Sequence, residues 1–282
     1  MGLREQLCIN NMTYRRYSFP YFLKSVKRLG LDWIELSGCH PHYSVYEAKT
    51  FPVRRVAERI REAGIQVAVI EPEQNFLPVN IASNQSYLRN RSIVQLQFYI
   101  ENAAAFDCDK VIIYPGKGTM DRPPEEALKY CCESLDLLCR TAEQCGVTLL
   151  LQNVSPCISG LTKDSGDVEY ILEQTGHDSL ALSVNTCAVC AGGETLEDYF
   201  RKFGDRIRNV QISDSDEEDE QLVLGDGSQD LQAHVDTLKR YGYKGPVALE
   251  ITMEEYAYEA EKYYARSLEV FEGLLKGGGQ DA

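Results

Sequence analysis

The chain has 282 residues, with 43 acidic against 29 basic side chains and a formal net charge of −14 at pH 7. Such a charge opposes binding to nucleic-acid phosphates and to anionic membranes, and it favours neutral or cationic ligands. No apolar run reaches the length of a membrane span, and the N-terminal stretch lacks the apolar core of an export signal. The ten cysteines are therefore expected to be reduced and mostly buried thiols of a cytoplasmic protein.

Eight short apolar segments that end in polar residues are predicted to be strands. Their interiors are nearly continuous in Val, Ile and Leu, which is typical of parallel strands covered on both faces. In chain order they are EQLCINN (5–11), LDWIELS (31–37), IQVAVIEP (65–72), DKVIIYPG (109–116), VTLLLQN (147–153), LALSVNT (180–186), RNVQISD (208–214) and PVALEIT (246–252).

Amphipathic helices are predicted between these strands. Apolar residues recur at helical spacing, for example at Ile93, Leu96 and Ile100. Pro123 and Pro124 suit a helix start. Glycines that suit helix ends follow the helical patterns at Gly30, Gly64, Gly146, Gly176 and Gly242. Eight strand–helix units in this length predict one (β/α)8 TIM barrel over residues 1–275, followed by a C-terminal tail over residues 276–282.

The chemistry of a TIM barrel lies at the carboxyl ends of its strands. We therefore expect the polar residues that close the predicted strands to meet at one mouth of the barrel. They are Asn10, Asn11, Glu35, Glu71, Tyr114, Gln152, Asn185, either Gln211 or Asp214 on the seventh strand, and Glu250.

Several longer segments resemble the xylose isomerase-like superfamily of TIM barrels, and within it the ketose 3-epimerases and the fructoselysine epimerases. The most specific is YGYKGPVALEI, which leads into the last strand. The segments that carry the resemblance are LDWIELSGCHPH (31–42), IEPEQNFLPVNI (70–81), LLLQNVSP (149–156), NVQISDSD (209–216), GDGSQDLQAHVDTLKRYGYKGPVALEI (225–251) and YYARSLE (263–269).

The resemblance implies a sugar isomerase or epimerase that binds one divalent ion, Mn²⁺ or Mg²⁺, through Glu, Asp, His and Glu at the ends of strands five to eight. The two glutamates of such a site act as bases on opposite faces of a ketose. The metal ion polarises the oxygens so that an enediolate can form. The expected partner is accordingly a small carbohydrate.

This chain departs from that ligand pattern at three of its four positions. Gln152, Asn185 and Gln211 stand where the resemblance places Glu, Asp and His, and only Glu250 matches. On strand four, Tyr114 replaces a histidine that is common before Pro-Gly. Neutral amides bind hard cations weakly, so no cofactor is expected; if one binds, it would be Mn²⁺ or Mg²⁺. The three amides are instead predicted to form a polar cup for a hydroxylated ligand, since each offers a donor and an acceptor.

Glu250 is the candidate catalytic residue, either as a solitary base or as a hydrogen-bonding partner of a sugar hydroxyl. The amides Gln152, Asn185 and Gln211 are predicted to bind substrate. Four further residues near the predicted mouth complete the predicted binding set, namely Glu35, His42, Glu71 and Tyr114. Inversion of a carbon needs a second proton donor, which Gln152 cannot provide.

The loops after the strands leave other readings open. Asn75 and Phe76 are candidates for contact with a sugar, and Lys117 for contact with an anionic group. Cys187 and Cys190 form a lone C-x-x-C, which could join Cys39, His40 and His42 in a soft-metal site only if two opposite loops met. The acidic run 214–220 is interpreted as a solvated loop rather than as a cation site. His177 and His234 are expected to lie outside the site.

Three functions remain open at this point. The first is an isomerase or epimerase with a changed mechanism, and the second is a non-catalytic protein that binds a sugar or a partner enzyme. The third is an ordinary metal-dependent epimerase whose ligands lie elsewhere. By analogy with the resembling proteins, the chain is expected to form a homodimer or homotetramer.

Overall fold

The computed structural model describes residues 2–48, 50–74 and 79–277. Eight parallel strands close into a barrel in which each strand pairs with the next along the chain and the eighth pairs with the first. This confirms the predicted (β/α)8 barrel. The strands are β1 (Leu7–Asn10), β2 (Trp33–Ser37), β3 (Gln66–Glu71), β4 (Lys110–Ile113), β5 (Thr148–Gln152), β6 (Leu180–Asn185), β7 (Ile207–Ile212) and β8 (Val247–Leu249).

Helices follow the strands and cover the outside of the barrel. They are α1 (Phe19–Arg28), α2 (Val53–Glu62), α3 (Ser86–Asn102), α4 (Pro124–Cys145), α5 (Ser165–Thr175), α6 (Thr186–Ala191), α7 (Leu196–Phe203), α8 (Leu231–Arg240) and α9 (Ala260–Gly277). The last of these continues two residues past the predicted boundary between barrel and tail, and residues 278–282 lie outside the described part of the chain.

The helix boundaries follow the predicted signals. Helix α4 begins at Pro124, whose missing N–H would have no partner in the first turn of a helix. Gly146 and Gly176 follow α4 and α5 with φ of 67° and 66°, a left-handed conformation that residues with a Cβ rarely adopt. Each strand therefore begins soon after the preceding helix ends.

The alternation of side chains along the strands decides what the interior of the barrel contains. On β5, Leu149 and Leu151 pack in the apolar layer between barrel and helices, whereas Leu150 belongs to a smaller cluster inside the barrel. Because side chains two residues apart face the same way, Gln152 also points inward, at the carboxyl end of the strand. The same alternation places Tyr114 two residues after the interior residue Ile112.

The loop between β7 and α8 is more ordered than the predicted solvated run. Asp214 is buried, and its carboxylate accepts backbone N–H bonds from Ser215, Gly225 and Gln229 at 2.9–3.1 Å. Glu220 reaches across to the loop after β5, where it accepts a 2.6 Å hydrogen bond from Ser155. The interpretation of the run as a solvated loop is therefore wrong for Asp214, because the backbone of its own loop supplies the donors, whereas residues 216–219 are exposed as predicted.

The ten cysteines are free thiols, six of them buried, as predicted. Among the residues that the structure describes, no helix combines the length and apolar character needed to cross a membrane.

Candidate functional site

Three carboxyl side chains face the interior near the carboxyl ends of their strands, Glu35 on β2, Glu71 on β3 and Glu250 just after β8. Asn10, the last residue of β1, joins the first two. Its amide nitrogen donates to Glu35 at 3.0 Å and to Glu71 at 2.8 Å. We call the three glutamates and the polar side chains bonded to them the carboxyl cluster.

Glu35 lies deepest in the carboxyl cluster and is fully buried. Besides the bond from Asn10, it accepts hydrogen bonds from the amide nitrogens of Gln211 at 2.9 Å and Asn209 at 3.0 Å. Asn209 also donates to Ser183 at 3.0 Å. Amide N–H groups therefore surround this carboxyl. Within the described residues it forms no hydrogen bond with a Lys or Arg side chain.

Asn185 connects Glu250 to the rest of the carboxyl cluster. Its Oδ1 accepts the backbone N–H of Ala188 at 3.1 Å and thereby caps α6. Because a backbone N–H can only donate, the opposite end of the amide is the nitrogen. That nitrogen donates to Glu250 at 2.7 Å and to Oε1 of Gln211 at 3.3 Å.

The Oε1 atom of Gln152 is buried and has no hydrogen-bond partner in the described part of the chain, a feature that it shares with Oδ1 of Asn209. The next residue, Asn153, fixes the neighbouring strand instead. Its Oδ1 accepts the backbone N–H of Asn185 at 2.8 Å, and its amide nitrogen donates to the carbonyl of Asn185 at 3.2 Å. Gln152 is therefore left with an unused acceptor inside the barrel mouth.

A cavity of about 340 Å³ opens beside the carboxyl cluster, between the loops after β3, β4 and β5. Among the described residues of the carboxyl cluster, only Tyr114 lines this cavity. The Tyr114 hydroxyl donates a hydrogen bond to Glu71 at 2.7 Å. The cavity has both apolar and polar walls, and Lys117 and Ser159 are among the polar residues that line it. Its size is within the range of small-molecule sites, about 300–1,000 Å³.

The model of the xylose isomerase-like TIM barrel family matches residues 23–274. The chain belongs to this family. It is 26% identical to fructoselysine 3-epimerase of Shigella flexneri over 264 residues, which cover 93% of this chain and 95% of that protein. It is 27% identical to an inosose isomerase of Bacillus velezensis over 141 residues, 47% of this chain and 49% of that protein.

Two solved structures illustrate the shared fold. A D-tagatose 3-epimerase-like protein superposes with a TM-score of 0.78 at 18% identity, covering 96% of this chain and 99% of its own. The IOLI protein with a bound zinc atom superposes with a TM-score of 0.80 at 20% identity, covering 98% and 100%. At these identities the likeness establishes the barrel alone.

Inside this xylose isomerase-like barrel the pKa values of Glu35, Glu250 and Tyr114 are raised, which favours their neutral, protonated forms. Burial, and secondly the charge of Glu71, raise the pKa of Glu35 to about 7. Burial, and after it the charges of Glu71 and Glu35, raise the pKa of Glu250 well above its usual range. Burial is also the main cause that raises the pKa of Tyr114. Neutral acids are therefore available here as hydrogen-bond donors near neutral pH.

Most of the predicted site residues meet in the carboxyl cluster or beside it, but His42 does not. Its ring stacks on Phe22, and its two nitrogens lie 3.3 Å from the amide of Asn11 and 2.9 Å from the carbonyl of Tyr17. Burial lowers the pKa of His42 to about 4. The His42 ring therefore packs against α1 and lies away from the carboxyl cluster.

The cysteines of the suggested soft-metal site do not come together with that loop. Cys187 and Cys190 contact Gln229, whereas Cys39 contacts Asn11 on the other side of the barrel. His234 bonds to Gln229 from α8, and His177 bonds to Asp136 and Glu143 outside the barrel. Both lie outside the carboxyl cluster, as expected. Asn75 and Phe76 fall outside the described residues.

Two members of the cluster are missing from the predicted binding set, Ser37 and Asn209, as is Ser183, which bonds to Asn209; Asn10 is predicted only as a strand end. Asn209 and Ser183 each lie two residues before a predicted site residue, Gln211 and Asn185. The alternation of side chains along a strand is the signal that identifies them, because it extends the interior face one layer deeper.

Proposed function

We propose that the protein is a sugar isomerase or epimerase that acts on a ketose-type carbohydrate at the carboxyl end of the barrel. The observation that carries the proposal is the contact between the 340 Å³ cavity and the carboxyl cluster through Tyr114. A cavity of this size accommodates a sugar, and the cluster next to it holds groups that can move protons. The similarity to fructoselysine 3-epimerase supports a ketose rather than another small molecule.

Glu250 is the proposed acid–base group of the reaction. It directly follows the last strand, is 4% exposed and accepts a hydrogen bond from Asn185. Gln152, with its unused buried acceptor, is proposed to receive a hydroxyl of the sugar. These assignments keep the location of the family's site while changing the groups that do the chemistry.

The four residues that the resemblance places at metal-ligand positions do not fit a divalent cation. A cation needs oxygen atoms or an imidazole nitrogen, but Asn185 turns its amide nitrogen toward Glu250 and uses its oxygen to cap α6. Gln211 turns its own nitrogen toward Glu35. We infer that N–H donors and carboxyl protons neutralise the buried glutamates here, so no step is assigned to a metal ion.

A second function is supported by a different observation. Asn185, Gln211 and Glu250 are at most 6% exposed and bond to one another, so their hydrogen-bonding groups are already engaged within the protein. This arrangement suits a non-catalytic sugar-binding protein, or an accessory subunit of another enzyme, in which Gln152 and Tyr114 contact the ligand. The ordinary metal-dependent epimerase has less support, because the described residues offer no group of three or more His, Cys, Asp and Glu side chains arranged for a metal ion.

The test compares binding and conversion for D-fructose, D-tagatose, D-psicose and fructoselysine. Calorimetry measures binding, and proton NMR follows conversion by the wild type, Glu250→Gln and the control Glu194→Gln, whose carboxylate bonds to Ser165 outside the mouth. We expect binding of at least one sugar by all three proteins and a loss of conversion of about 100-fold or more in Glu250→Gln alone.

The same experiment separates the alternatives. Binding without conversion by the wild type would establish the sugar-binding function, and absence of both would contradict the proposal. Conversion that requires added Mn²⁺ and stoichiometric metal in the purified protein would restore the metal-dependent function. A cytoplasmic location and self-association into dimers or tetramers stay predictions.

A further inference from the structure

Tyr114 is the group through which the carboxyl cluster meets the cavity. Its backbone N–H donates to Oε1 of Gln74 at 2.9 Å, and Gln74 is held in turn by the carbonyl of Ile112 at 3.3 Å. The Tyr114 side chain is 9% exposed, so most of its surface is fixed by packing while one part borders the cavity. A ligand in the cavity would therefore contact Tyr114 at the edge of the cluster.

Glu71 is positioned to receive a proton from Tyr114. Its Oε2 accepts hydrogen bonds from the amide of Asn10 and the hydroxyl of Ser37, whereas its Oε1 bonds to the Tyr114 hydroxyl. The orientation of Asn10 is fixed because its Oδ1 accepts the backbone N–H of Met12 at 2.7 Å. Asn10 can therefore only donate to Glu71, and Oε1 of Glu71 is the oxygen that faces the phenol.

Tyr114 and Glu250 approach the mouth from opposite sides. Tyr114 follows β4 and Glu250 follows β8, and strands four apart in a closed barrel of eight lie across the axis from each other. A ketose that extends from the cavity toward the axis would have one group on each side of its plane. Inversion of a carbon requires such a pair, because one group must remove a proton and another must return it from the opposite face.

We propose that Tyr114 is a second catalytic residue, which exchanges a proton with the ketose on the face opposite Glu250, and that Glu71 is the positioning residue that exchanges the proton of the phenol. This proposal rests on the proposed function and adds the group that Gln152 cannot provide.

The proton transfer is balanced in each direction. Tyr114 takes the proton from the carbon beside the carbonyl while it gives its own hydroxyl proton to Glu71. The electron pair of the C–H bond forms the carbon–carbon double bond of an enediolate, and the carbonyl oxygen takes the negative charge. Protonated Glu250 then gives its proton to the same carbon from the other side, and the carbonyl re-forms. The reverse reaction begins at ionised Glu250.

The experiment uses Tyr114→Phe, which removes one oxygen atom and retains the ring, and Glu71→Gln. Tyr243→Phe is the matched control, because Tyr243 is also buried and its hydroxyl donates to the Pro246 carbonyl at 3.0 Å, before β8 begins. The ketose panel is incubated with each protein in D2O. NMR measures formation of the epimer and entry of deuterium into the starting ketose as separate rates, and circular dichroism checks the fold.

We expect Tyr114→Phe to interconvert the two epimers about 100-fold more slowly or worse, while Glu250 still introduces deuterium, with retention of configuration, into the epimer of the pair whose C–H bond faces Glu250. Glu71→Gln should show the same split between the two rates and a changed pH profile of epimer formation, and Tyr243→Phe should match the wild type. Epimer formation by folded Tyr114→Phe within twofold of the wild type would overturn the proposal for Tyr114 alone. A wild type that produces only an aldose would do the same while leaving the proposed function intact. A wild type that binds no sugar and exchanges no deuterium would remove both.

Discussion

Asn185 donates a 2.7 Å hydrogen bond to Glu250, and the opposite end of its amide fixes the direction of that bond. Since Oδ1 is held by the N–H of Ala188 at the start of α6, the amide cannot turn its oxygen toward the barrel without uncapping the helix. Secondary structure outside the barrel thereby determines whether a donor or an acceptor faces Glu250.

The first prediction restores the ligand set that the resemblance implies. A triple variant with Gln152→Glu, Asn185→Asp and Gln211→His should bind Mn²⁺, because two carboxylates and an imidazole replace the three amides and join the carboxylate of Glu250. We expect micromolar or tighter binding by calorimetry and a rise in melting temperature on adding Mn²⁺, with neither effect in the wild type. The same triple variant carrying Glu250→Gln should bind at least tenfold more weakly. Equal binding of Mn²⁺ by the wild type would contradict the inferred orientation of the amides.

The second prediction separates the two bonds of Asn185. Asn185→Ala removes the cap of α6 and a donor to a buried carboxyl, so the free energy of unfolding should fall by about 2–3 kcal/mol. Asn185→Ser keeps a capping oxygen and should lose about 1 kcal/mol less. Thr195→Ala removes the capping bond that the Asp198 N–H donates to the Thr195 hydroxyl, together with the exposed bond from that hydroxyl to the Asp198 carboxylate, and should cost about 1 kcal/mol. Urea denaturation measures the free energy of unfolding of all three variants. Equal losses in Asn185→Ala and Asn185→Ser would show that the cap of α6 does not contribute to stability.

The architecture can be predicted from the sequence because the residues of each strand and of the helix after it carry consistent local signals. Each predicted strand overlaps an observed one, and its polar end lies at the mouth. The contacts within the mouth are different, because they join residues far apart along the chain. The bond from Gln211 to Glu35 links β7 to β2, and no local pattern specifies which amide reaches which carboxyl.

Two departures from prediction have physical causes of the same kind. His42 follows a strand that ends at the mouth, but the loop turns back, and the ring packs against Phe19 and Phe22 of α1. Asp214 belongs to an acidic run, yet it is 1% exposed because three backbone N–H groups converge on it. Composition does not reveal such donors, since every residue except proline carries one.

The third prediction concerns that loop. Asp214→Asn replaces a carboxylate that accepts from Gly225 and Gln229 with an amide, whose NH2 group would oppose one of the backbone donors. We expect a fall of about 1–3 kcal/mol in the free energy of unfolding and faster proteolysis of the loop between β7 and α8. Glu217→Gln, at an exposed position in the same run, is the control and should change stability by less than about 0.5 kcal/mol. Similar losses in both variants would mean that Asp214 does not organise the loop.

The fourth prediction follows from the pKa of Glu35. Because the pKa of this carboxyl is about 7 in the folded protein and about 4.5 in the unfolded chain, the folded state holds the proton more tightly. The contribution of Glu35 to the free energy of unfolding should therefore be largest below about pH 4.5. It should fall as the pH rises to about 7 and then stay constant. The loss amounts to about 3 kcal/mol, since each pH unit between the two pKa values contributes about 1.4 kcal/mol.

Glu35→Gln removes that loss because the new side chain never ionises. Its NH2 group also has a partner available, since Oδ1 of Asn209 is buried without a hydrogen bond in the described chain and can turn toward it. We expect Glu35→Gln to gain up to about 3 kcal/mol over the wild type at pH 8 and much less at pH 5. Urea denaturation at pH 5, 6, 7 and 8 gives the comparison, with Glu173→Gln on the exposed face of α5 as the control. If the free energies of unfolding of Glu35→Gln and the wild type differed by the same amount at every pH, the pKa of Glu35 would not be raised in the folded protein, and the prediction would be wrong.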